Sequence, residues 1–250
     1  MFDNEVVWVT GSSTGIGRAA AIGFAEQGCR VAVHYNSSEE EAREVAGKIE
    51  EAGGDALLVK GDVSDSGDVK RMVGEVEDRY GRLDVLVNNA GALIERRAFV
   101  EMTEDLWDRV MDVNLKSVYL VSQAVLPMMK RQGKGRIINI TSLAARNGGG
   151  PGSAAYATAK AGVSTLTRAM AKELVSENIL VNAVAPGVIT TPFHDRYTPP
   201  EAREQMTKVI PMGREGTPEE TIGAVLFLAS PAADYIVGEI IEINGGQLMS

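Results

Sequence analysis

The sequence predicts an α/β fold, a single domain over residues 1–250 with a doubly wound parallel sheet of about seven strands and helices on both faces. Short apolar runs rich in β-branched residues alternate with segments of helical composition along the whole chain. No linker, low-complexity tract or internal repeat interrupts the alternation, and a 44% hydrophobic content supplies a sizeable core. Regular alternation of this kind is typical of a parallel sheet covered on both sides.

The elements follow one another as repeated strand–helix units. The predicted strands, in chain order, are EVVWVT, RVAVHY, DALLVKGDV, LDVLVNNAG, GRIINITS, ILVNAVAPG and EIIEING. The predicted helices are RAAAIGFAEQG, SSEEEAREVAGKIEEAGG, residues 65–80, residues 104–131, the segment after Ser153, and one helix before the last strand. Residues 188–216 interrupt the alternation of strands and helices, because they contain turn-forming residues and one predicted short helix. We expect them to form a substrate lid at the carboxyl ends of the strands.

Composition limits the classes of partner. The formal charge of −9 and the pI near 4.9 argue against nonspecific binding to nucleic acid or to an anionic membrane. No apolar stretch reaches the ~18 residues of a membrane span, so we expect a soluble, cytoplasmic protein. His34 and His194 are too few to form a metal cluster, and no metal site is predicted. The single cysteine, Cys29, is interpreted as a small core residue.

A glycine-rich turn between the first strand and the first helix predicts a nucleotide site. Gly11, Gly15 and Gly17 permit positive φ and close approach of the backbone to a pyrophosphate, whose charge the helix N-terminus attracts. The same turn contributes Ser13, Thr14 and Ile16. A tight turn without a ligand is the alternative interpretation.

A second pattern predicts proton transfer. Tyr156 and Lys160 are four residues apart in a predicted helix, so both side chains lie on one face. A cation beside a phenol favours the phenolate, and we therefore expect a lowered pKa for Tyr156. Ser142, at the end of an apolar run, could supply a second hydroxyl to the same substrate oxygen. An exposed, functionless Tyr–Lys pair is the alternative.

These motifs occur together in an order that resembles the short-chain dehydrogenase/reductase family. The matching residues are Thr10-Gly11-x-x-x-Gly15-Ile16-Gly17, Asp62-Val63, Asn88-Asn89-Ala90-Gly91, Asn114, Ser142, Tyr156, Lys160, Pro186-Gly187 and Asn244-Gly245-Gly246. Within the family, the chain looks most like the branch of 3-oxoacyl-acyl-carrier-protein reductases, glucose dehydrogenases and sugar or sugar-acid reductases. The resemblance implies a Rossmann-type fold.

The resemblance also implies an activity, the NAD(P)(H)-dependent interconversion of a carbonyl and a secondary alcohol. Tyr156 would be the proton donor or acceptor, Lys160 would lower its pKa and hold the ribose, and Ser142 would polarise the substrate oxygen. Asn114 would hold a water that continues the relay. Alternatively, Asn114 is a buried polar residue that distorts its helix.

Further residues are assigned to the nucleotide by the same resemblance. Asp62 and Val63 would flank the adenine, and Asn89, Ala90 and Gly91 would pass close to the nicotinamide ribose. The carboxamide side would be lined by Pro186, Gly187, Ile189 and Thr191. In an alternative, structural interpretation, the segment around Asp62 is a good helix N-cap sequence.

The end of the second strand indicates the choice of nucleotide. Tyr35 stands where NAD-specific members carry Asp, and Asn36 and Ser37 could donate hydrogen bonds to a 2′-phosphate. NADP(H) is therefore favoured, with NAD(H) possible. Thr14 weighs against NADP(H), because NADP-binding members commonly have Arg or Lys there.

The substrate is open between two classes. A 3-oxoacyl reductase should present basic residues at the mouth of the site, and Arg96, Arg97 and Arg146 are candidates that could equally meet a sugar-acid carboxylate. The polar lid segment His194–Tyr197 suits hydroxyl-rich ligands, and the GGGPG loop before Tyr156 is one residue longer than is common in the family. A small-molecule substrate and a homotetramer are expected. A nucleotide-binding sensor without turnover is a further alternative.

Overall fold

The computed structural model of the chain describes residues 2 and 4–249. Its seven strands form one sheet in the order β3-β2-β1-β4-β5-β6-β7, and every neighbouring pair is parallel. The strands are β1 Val6–Val9, β2 Arg30–Tyr35, β3 Asp55–Lys60, β4 Val85–Asn88, β5 Gly135–Ile140, β6 Ile179–Pro186 and β7 Ile240–Ile243. The predicted parallel sheet of about seven strands is confirmed.

Helices connect the strands. In two regions of the chain, residues 104–131 and 188–216, they differ from the prediction. They are α1 Gly15–Glu26, α2 Glu39–Glu51, α3 Ser66–Tyr80, α4 Glu104–Met111, α5 Ser117–Gln132, α6 Ala144–Asn147, α7 Ala154–Leu174, α8 Pro192–Tyr197, α9 Pro200–Lys208 and α10 Pro218–Ala229. The long helix predicted over 104–131 is divided by a π-helical turn at Asp112–Lys116. Residues 188–216 contain two short helices, not the predicted one, because prolines at 192 and 200 each begin a helix.

Each face of the sheet carries its own apolar layer. Val7 and Val9 of β1 point into one layer with Phe24 of α1, whereas Trp8 points into the other with Met129 of α5. The first layer is covered by α1, α2 and α10, and the second by α3, α5 and α7. Residues alternate between faces along a strand, so a fully buried strand must be apolar at every position, as VVWV is.

Cys29 belongs to the first layer, as the sequence predicts. Its side chain is 2% exposed. Burial, reinforced by the nearby carboxylates of Glu5 and Asp84, raises the pKa of the thiol to about 12.

The strand order determines where a sheet of this kind has its ligand-binding crevice. The chain leaves β1 toward β2 and β3, and then returns to β4 on the other side of β1. The connections after β1 and β4 therefore diverge and leave a crevice at their carboxyl ends, where ligands bind in open α/β sheets.

Two negative findings apply to residues 2 and 4–249. No helix in this part of the chain has the length and apolar character to cross a membrane. No three or more His, Cys, Asp or Glu side chains in it are grouped so that they could hold a metal ion.

Candidate nucleotide and carbonyl site

A cleft of about 590 Å³ lies at this crevice, over the carboxyl ends of the central strands. Every residue predicted to act in catalysis or to bind the cofactor lines it except two, Gly17 and Asn114, which stand directly behind its wall. The fold therefore brings together predicted site residues that are spread along the sequence from Gly11 to Thr191. Their individual roles remain predictions.

The glycine turn has the geometry that a phosphate site requires. Gly11 and Gly15 adopt φ of +62° and +56°, a region that other residues rarely enter. A Cβ on Gly17 would lie 2.3 Å from the Gly11 carbonyl oxygen and 2.4 Å from Asn89 Nδ2. The turn then opens into α1, whose first N–H groups have no acceptor within the helix. The turn can thus offer backbone donors to an anion at close range.

His34 supports this turn, and sequence reasoning assigned it no role. The Gly11 N–H donates to His34 Nδ1 at 2.8 Å, so Nε2 carries the proton and donates to the Gly61 carbonyl at 3.0 Å. Its backbone N–H donates to Ser12 Oγ, and its carbonyl accepts from the Ser12 N–H. Burial lowers the pKa of His34 to about 4. A neutral imidazole therefore ties the ends of β1, β2 and β3 together.

Tyr35, Asn36 and Ser37 line the end of the cleft that the sequence predicts to hold the adenosine. Tyr35 is buried, and the Lys60 ammonium stands 5.9 Å from its ring centroid. Glu39 begins α2, as expected, and is paired with Arg43 at 2.8 Å and Lys60 at 3.7 Å. The first carboxylate after β2 is thus accompanied by two cations.

Asp62 lines the cleft and is not the cap of α3. The N-cap is Asp65, whose side chain accepts from the Asp68 N–H. The Asp62 carboxylate instead accepts from the backbone N–H and the hydroxyl of Ser64, at 2.8 and 2.7 Å. These bonds hold Asp62 and Val63 at the mouth of the cleft.

The loop after β4 is joined to the glycine turn. Asn89 Nδ2 donates to the carbonyls of Thr10 and Gly11, both at 2.9 Å, and Thr10 Oγ1 accepts from the N–H groups of Asn89 and Ala90. A Cβ on Gly91 would lie 2.7 Å from Asn114 Oδ1. The backbone there can be approached closely only because the residue is glycine.

The opposite wall of the cleft is formed by the segment after β6. A Cβ on Gly15 would be 3.3 Å from Thr191 Cγ2, and one on Gly187 would be 2.8 Å from Asn244 Cβ. Ile189 forms a bridge with Gly216 that joins the start and end of segment 188–216. Of the predicted carboxamide residues, Thr191 therefore lies directly against the glycine turn.

Tyr156, Lys160 and Ser142 meet at the centre of the cleft. Lys160 is buried, its ammonium donates to the Ile140 carbonyl at 2.8 Å, and it lies 5.8 Å from the Tyr156 ring centroid. Ser142 Oγ accepts from the Ala144 N–H at 3.1 Å. The hydroxyls and the ammonium are thus held on rigid elements around one point, the arrangement expected for a proton-transfer site.

The sequence predicts a lowered pKa for Tyr156, and this prediction is wrong for the protein without a bound nucleotide. Burial raises the pKa of Tyr156 to about 12, although a hydrogen bond from Ser142 opposes the change. Burial also lowers the pKa of Lys160 to about 8. The sequence argument counted the attraction of the lysine and omitted the loss of hydration, which is the larger effect here.

Asn114 distorts its helix, as the alternative interpretation predicts. It is fully buried in the π-helical turn, where Nδ2 donates to the carbonyls of Ala92 and Val110 and Oδ1 accepts from the Ala92 N–H. Its side chain therefore fixes the loop after β4. Whether a water binds there stays a prediction.

The three candidate arginines differ. Arg97 is paired with Glu95 and Arg146 with Glu242. Arg96 instead lines the cleft and bonds to neutral acceptors, the carbonyls of Tyr197 and Pro151.

The polar lid residues are also divided. His194 lines the cleft and shares a hydrogen bond with Thr198, and Phe193 packs 5.5 Å from the Tyr156 ring. By contrast, Asp195, Arg196 and Tyr197 border a smaller depression on the far side of Arg96. The four polar residues therefore do not all line the cleft, because a helical turn points successive side chains in different directions.

Comparison with known proteins gives consistent matches over the whole chain. Residues 11–247 match the family model described as enoyl-(acyl carrier protein) reductase. The 3-oxoacyl-[acyl-carrier-protein] reductase FabG of Staphylococcus aureus is 44% identical over 241 residues, which cover 96% of this chain and 97% of the relative.

Two solved structures resemble this chain over nearly its whole length. A putative NAD(P)-dependent gluconate 5-dehydrogenase from Beutenbergia cavernae, with bound NADP, has a TM-score of 0.92 and 37% identity, with 100% of this chain and 98% of that chain covered. The NADH-dependent reductase A1-R′, responsible for alginate metabolism, has a TM-score of 0.91 and 34% identity, with 99% and 98% covered. With the glycine turn and the Ser142, Tyr156 and Lys160 cluster in one cleft, these matches establish that the chain belongs to the short-chain dehydrogenase/reductase family of nicotinamide-dependent oxidoreductases.

Proposed function

We propose that the protein is an NADP(H)-preferring oxidoreductase that interconverts a carbonyl and a secondary alcohol with Tyr156 as proton donor and acceptor. The observation that carries the proposal is that Ser142, Tyr156 and Lys160 line the same cleft as the glycine turn. A protein that only binds nucleotide has no need of this cluster, and we therefore prefer the enzyme to the sensor.

The residues present fit a dinucleotide. Gly11 and Gly15 line the cleft with positive φ, and α1 begins there with N–H groups that have no acceptor within the helix. When bound, the nicotinamide supplies or accepts the hydride. The chain's own part is to place the substrate carbon and move a proton at its oxygen.

The catalytic cluster divides that work. The Ser142 hydroxyl donates to the substrate oxygen and holds it near Tyr156, whose phenol gives up its proton during reduction and recovers it afterwards. Because burial holds the phenol neutral, Tyr156 begins reduction in its donating form. In the oxidative direction, Lys160 must offset the cost of the phenolate, which its ammonium beside the ring allows.

The preference for NADP(H) is supported by the charges at the end of β2. Tyr35 replaces an acid that would repel a 2′-phosphate, and the nearby Glu39 is paired with Arg43 and Lys60. The relatives include both an NADP-bound and an NADH-dependent protein, so the two nucleotides must be compared directly.

For the substrate, 3-oxoacyl thioesters come first, because the acyl-carrier-protein reductases share 44% identity over nearly the whole chain. Sugars or sugar acids form the second class, which the structural similarity to a gluconate 5-dehydrogenase favours. In both cases, residues 188–216 act as the lid, with Phe193 against Tyr156.

The same proposal includes a cytoplasmic homotetramer. Tyr119 on α5 is 47% exposed, and Phe99 and Val100 before α4 are more exposed still, so these residues offer apolar area to a second copy. Sedimentation equilibrium should give four times the chain mass. A stable monomer at micromolar concentration would contradict the tetramer without affecting the enzyme.

Nucleotide oxidation or reduction, measured against a panel of 3-oxoacyl thioesters, keto-aldonic acids, aldoses and simple ketones, tests the activity. We expect turnover with at least one class and a higher kcat/KM with NADP(H) than with NAD(H). Tight nucleotide binding with no turnover on any member would favour the sensor.

A further inference from the structure

The charge of the cleft differs from that of the whole protein. The chain carries a formal charge of −9, yet the Asp, Glu, Lys and Arg residues that line the cleft are one carboxylate, Asp62, and two cations, Arg96 and Lys160. Asp62 lies at the adenine end. The end that receives the substrate is therefore positive.

Arg96 uses its hydrogen bonds on neutral groups. Nε donates to the Tyr197 carbonyl at 2.5 Å, one terminal nitrogen donates to the Pro151 carbonyl at 2.9 Å, and the other lies 3.4 Å from Thr198 Oγ1. A guanidinium has five N–H donors, so donors remain after these contacts. In the part of the chain that the structure describes, no carboxylate lies within ion-pair distance of Arg96.

Three other arginines near the cleft are paired with carboxylates. Arg97 pairs with Glu95, Arg146 with Glu242, and Arg203 binds Glu215 through two nitrogens at 2.6 and 2.7 Å. Arg96 is only partly exposed, and this burial lowers its pKa from the ordinary value. A cation partly removed from water without an anion is unfavourable, and an anionic ligand at this position would offset that cost.

Arg96 also joins the two segments that surround the substrate. Pro151 belongs to the glycine-rich loop before α7, whereas Tyr197 is the last residue of α8 in the lid. The glycines of the loop make room for the arginine, since a Cβ at Gly152 would lie 3.1 Å from Arg96 Cβ. The guanidinium thus stands where the loop and the lid meet.

We propose that Arg96 binds an anionic group of the substrate, a carboxylate or a phosphate ester, and so selects acidic substrates. The inference rests on the proposed oxidoreductase function and names its substrate class. A carboxylate would belong to a small keto acid, and a phosphate to the pantetheine arm of a carrier-bound acyl group. Both are anions that an arginine fork binds through two hydrogen bonds.

Pairs of substrates that differ only in charge test the proposal. The first pair is 5-ketogluconate and its methyl ester, and the second is acetoacetyl 4′-phosphopantetheine and acetoacetyl pantetheine. We expect the wild-type protein to favour the charged member of one pair in kcat/KM. The pair that shows this preference identifies the source of the anion.

Variants assign the preference to Arg96. Arg96→Met should lower kcat/KM for the charged member by about 10- to 100-fold, the usual range for a charge-assisted hydrogen bond, and leave the uncharged member nearly unchanged. Arg96→Lys should restore part of the preference. Arg97→Met is the matched control, because that arginine is paired with Glu95 and lies outside the cleft.

Other outcomes would overturn the proposal. An equal loss on both members in Arg96→Met would mean that the arginine only braces the loop and lid. Equal wild-type activity on both members of both pairs would mean that no anion is recognised. If no compound is turned over, the proposed function fails, and calorimetry on the protein with bound NADP+ decides the inference separately. Binding of a charged probe that is lost in Arg96→Met would support it, and no such loss would overturn it.

Discussion

The glycine turn and the predicted lid, residues 188–216, both border one cleft and are held by different kinds of contact. The turn is held by buried hydrogen bonds, with His34 joining Gly11 to Gly61. Within the predicted lid, Arg203 forms a partly buried ion pair with Glu215, and the ring of Phe193 packs the lid against Tyr156. Buried hydrogen bonds are costly to break, whereas the predicted lid meets the catalytic cluster through ring packing, so we expect the nucleotide end to be rigid and the substrate end to open.

The largest expected effect is at Tyr156, where the two ends meet. Tyr156→Phe removes the hydroxyl and keeps the ring against Phe193, so kcat should fall by about 10²–10⁴-fold, the usual contribution of a positioned acid or base. Calorimetry should show nearly unchanged NADP(H) binding. Tyr119→Phe, at an exposed tyrosine of α5, is the control, and substantial activity in Tyr156→Phe would refute the catalytic assignment.

The next effect tests the rigidity of the nucleotide end through pH. The pKa of His34 falls from about 6.5 to about 4 on folding, so between these values the unfolded chain binds more protons. The stabilisation is complete above pH 6.5 and is lost as pH falls toward 4. A shift of this size corresponds to about 3 kcal/mol in the free energy of unfolding.

Urea unfolding of wild type and His34→Asn at pH 4 and pH 7 isolates that contribution. Asn can still accept from Gly11 and does not titrate, whereas the neighbouring carboxylates of Asp62 and Asp68 are common to both proteins. The wild type should lose more stability on acidification than the variant. An equal loss in both would show that His34 is not the titrating group.

A smaller effect is expected from Gly17→Ala. The new methyl group would lie 2.3 Å from the Gly11 carbonyl oxygen, and the backbone there cannot yield cheaply. Overpacking of this kind costs about 1–3 kcal/mol, and NADP(H) affinity should fall with the distorted turn. Gly47→Ala in α2 has nothing within 4 Å and should instead stabilise the protein by up to about 1 kcal/mol. Normal nucleotide affinity in Gly17→Ala would argue for a pliable turn.

The smallest effect should come from the lid. Arg203→Met releases Glu215, which also accepts from Thr190, and should raise the substrate KM by a few-fold, equivalent to about 1 kcal/mol, with little change in melting temperature. Lys208→Met on the same helix removes an exposed pair with Glu204 and is the control. A large fall in melting temperature for Arg203→Met would show that the two ends of the cleft are equally rigid.

The same difference explains which features could be predicted from sequence. The strands and the glycine turn follow from local patterns, since VVWV and TGSSTGIG each carry their own signal of periodicity or φ requirement. His34 to Gly61 spans 27 residues, and Arg96 to Tyr197 spans 101. Such contacts depend on tertiary packing, and no spacing of residues in the sequence predicts them. The Tyr156 pKa was mispredicted for the same reason, because burial is a property of the folded cleft.

The shielded thiol of Cys29 makes the opening of the cleft measurable. The chain has one cysteine, it is 2% exposed, and its pKa near 12 leaves almost no thiolate for alkylation at neutral pH. Glu204→Cys on α9 and Glu44→Cys on α2 would therefore introduce two reactive thiols into a protein whose native cysteine does not react. A donor and an acceptor dye at these positions would report lid movement by energy transfer, without first replacing a native residue.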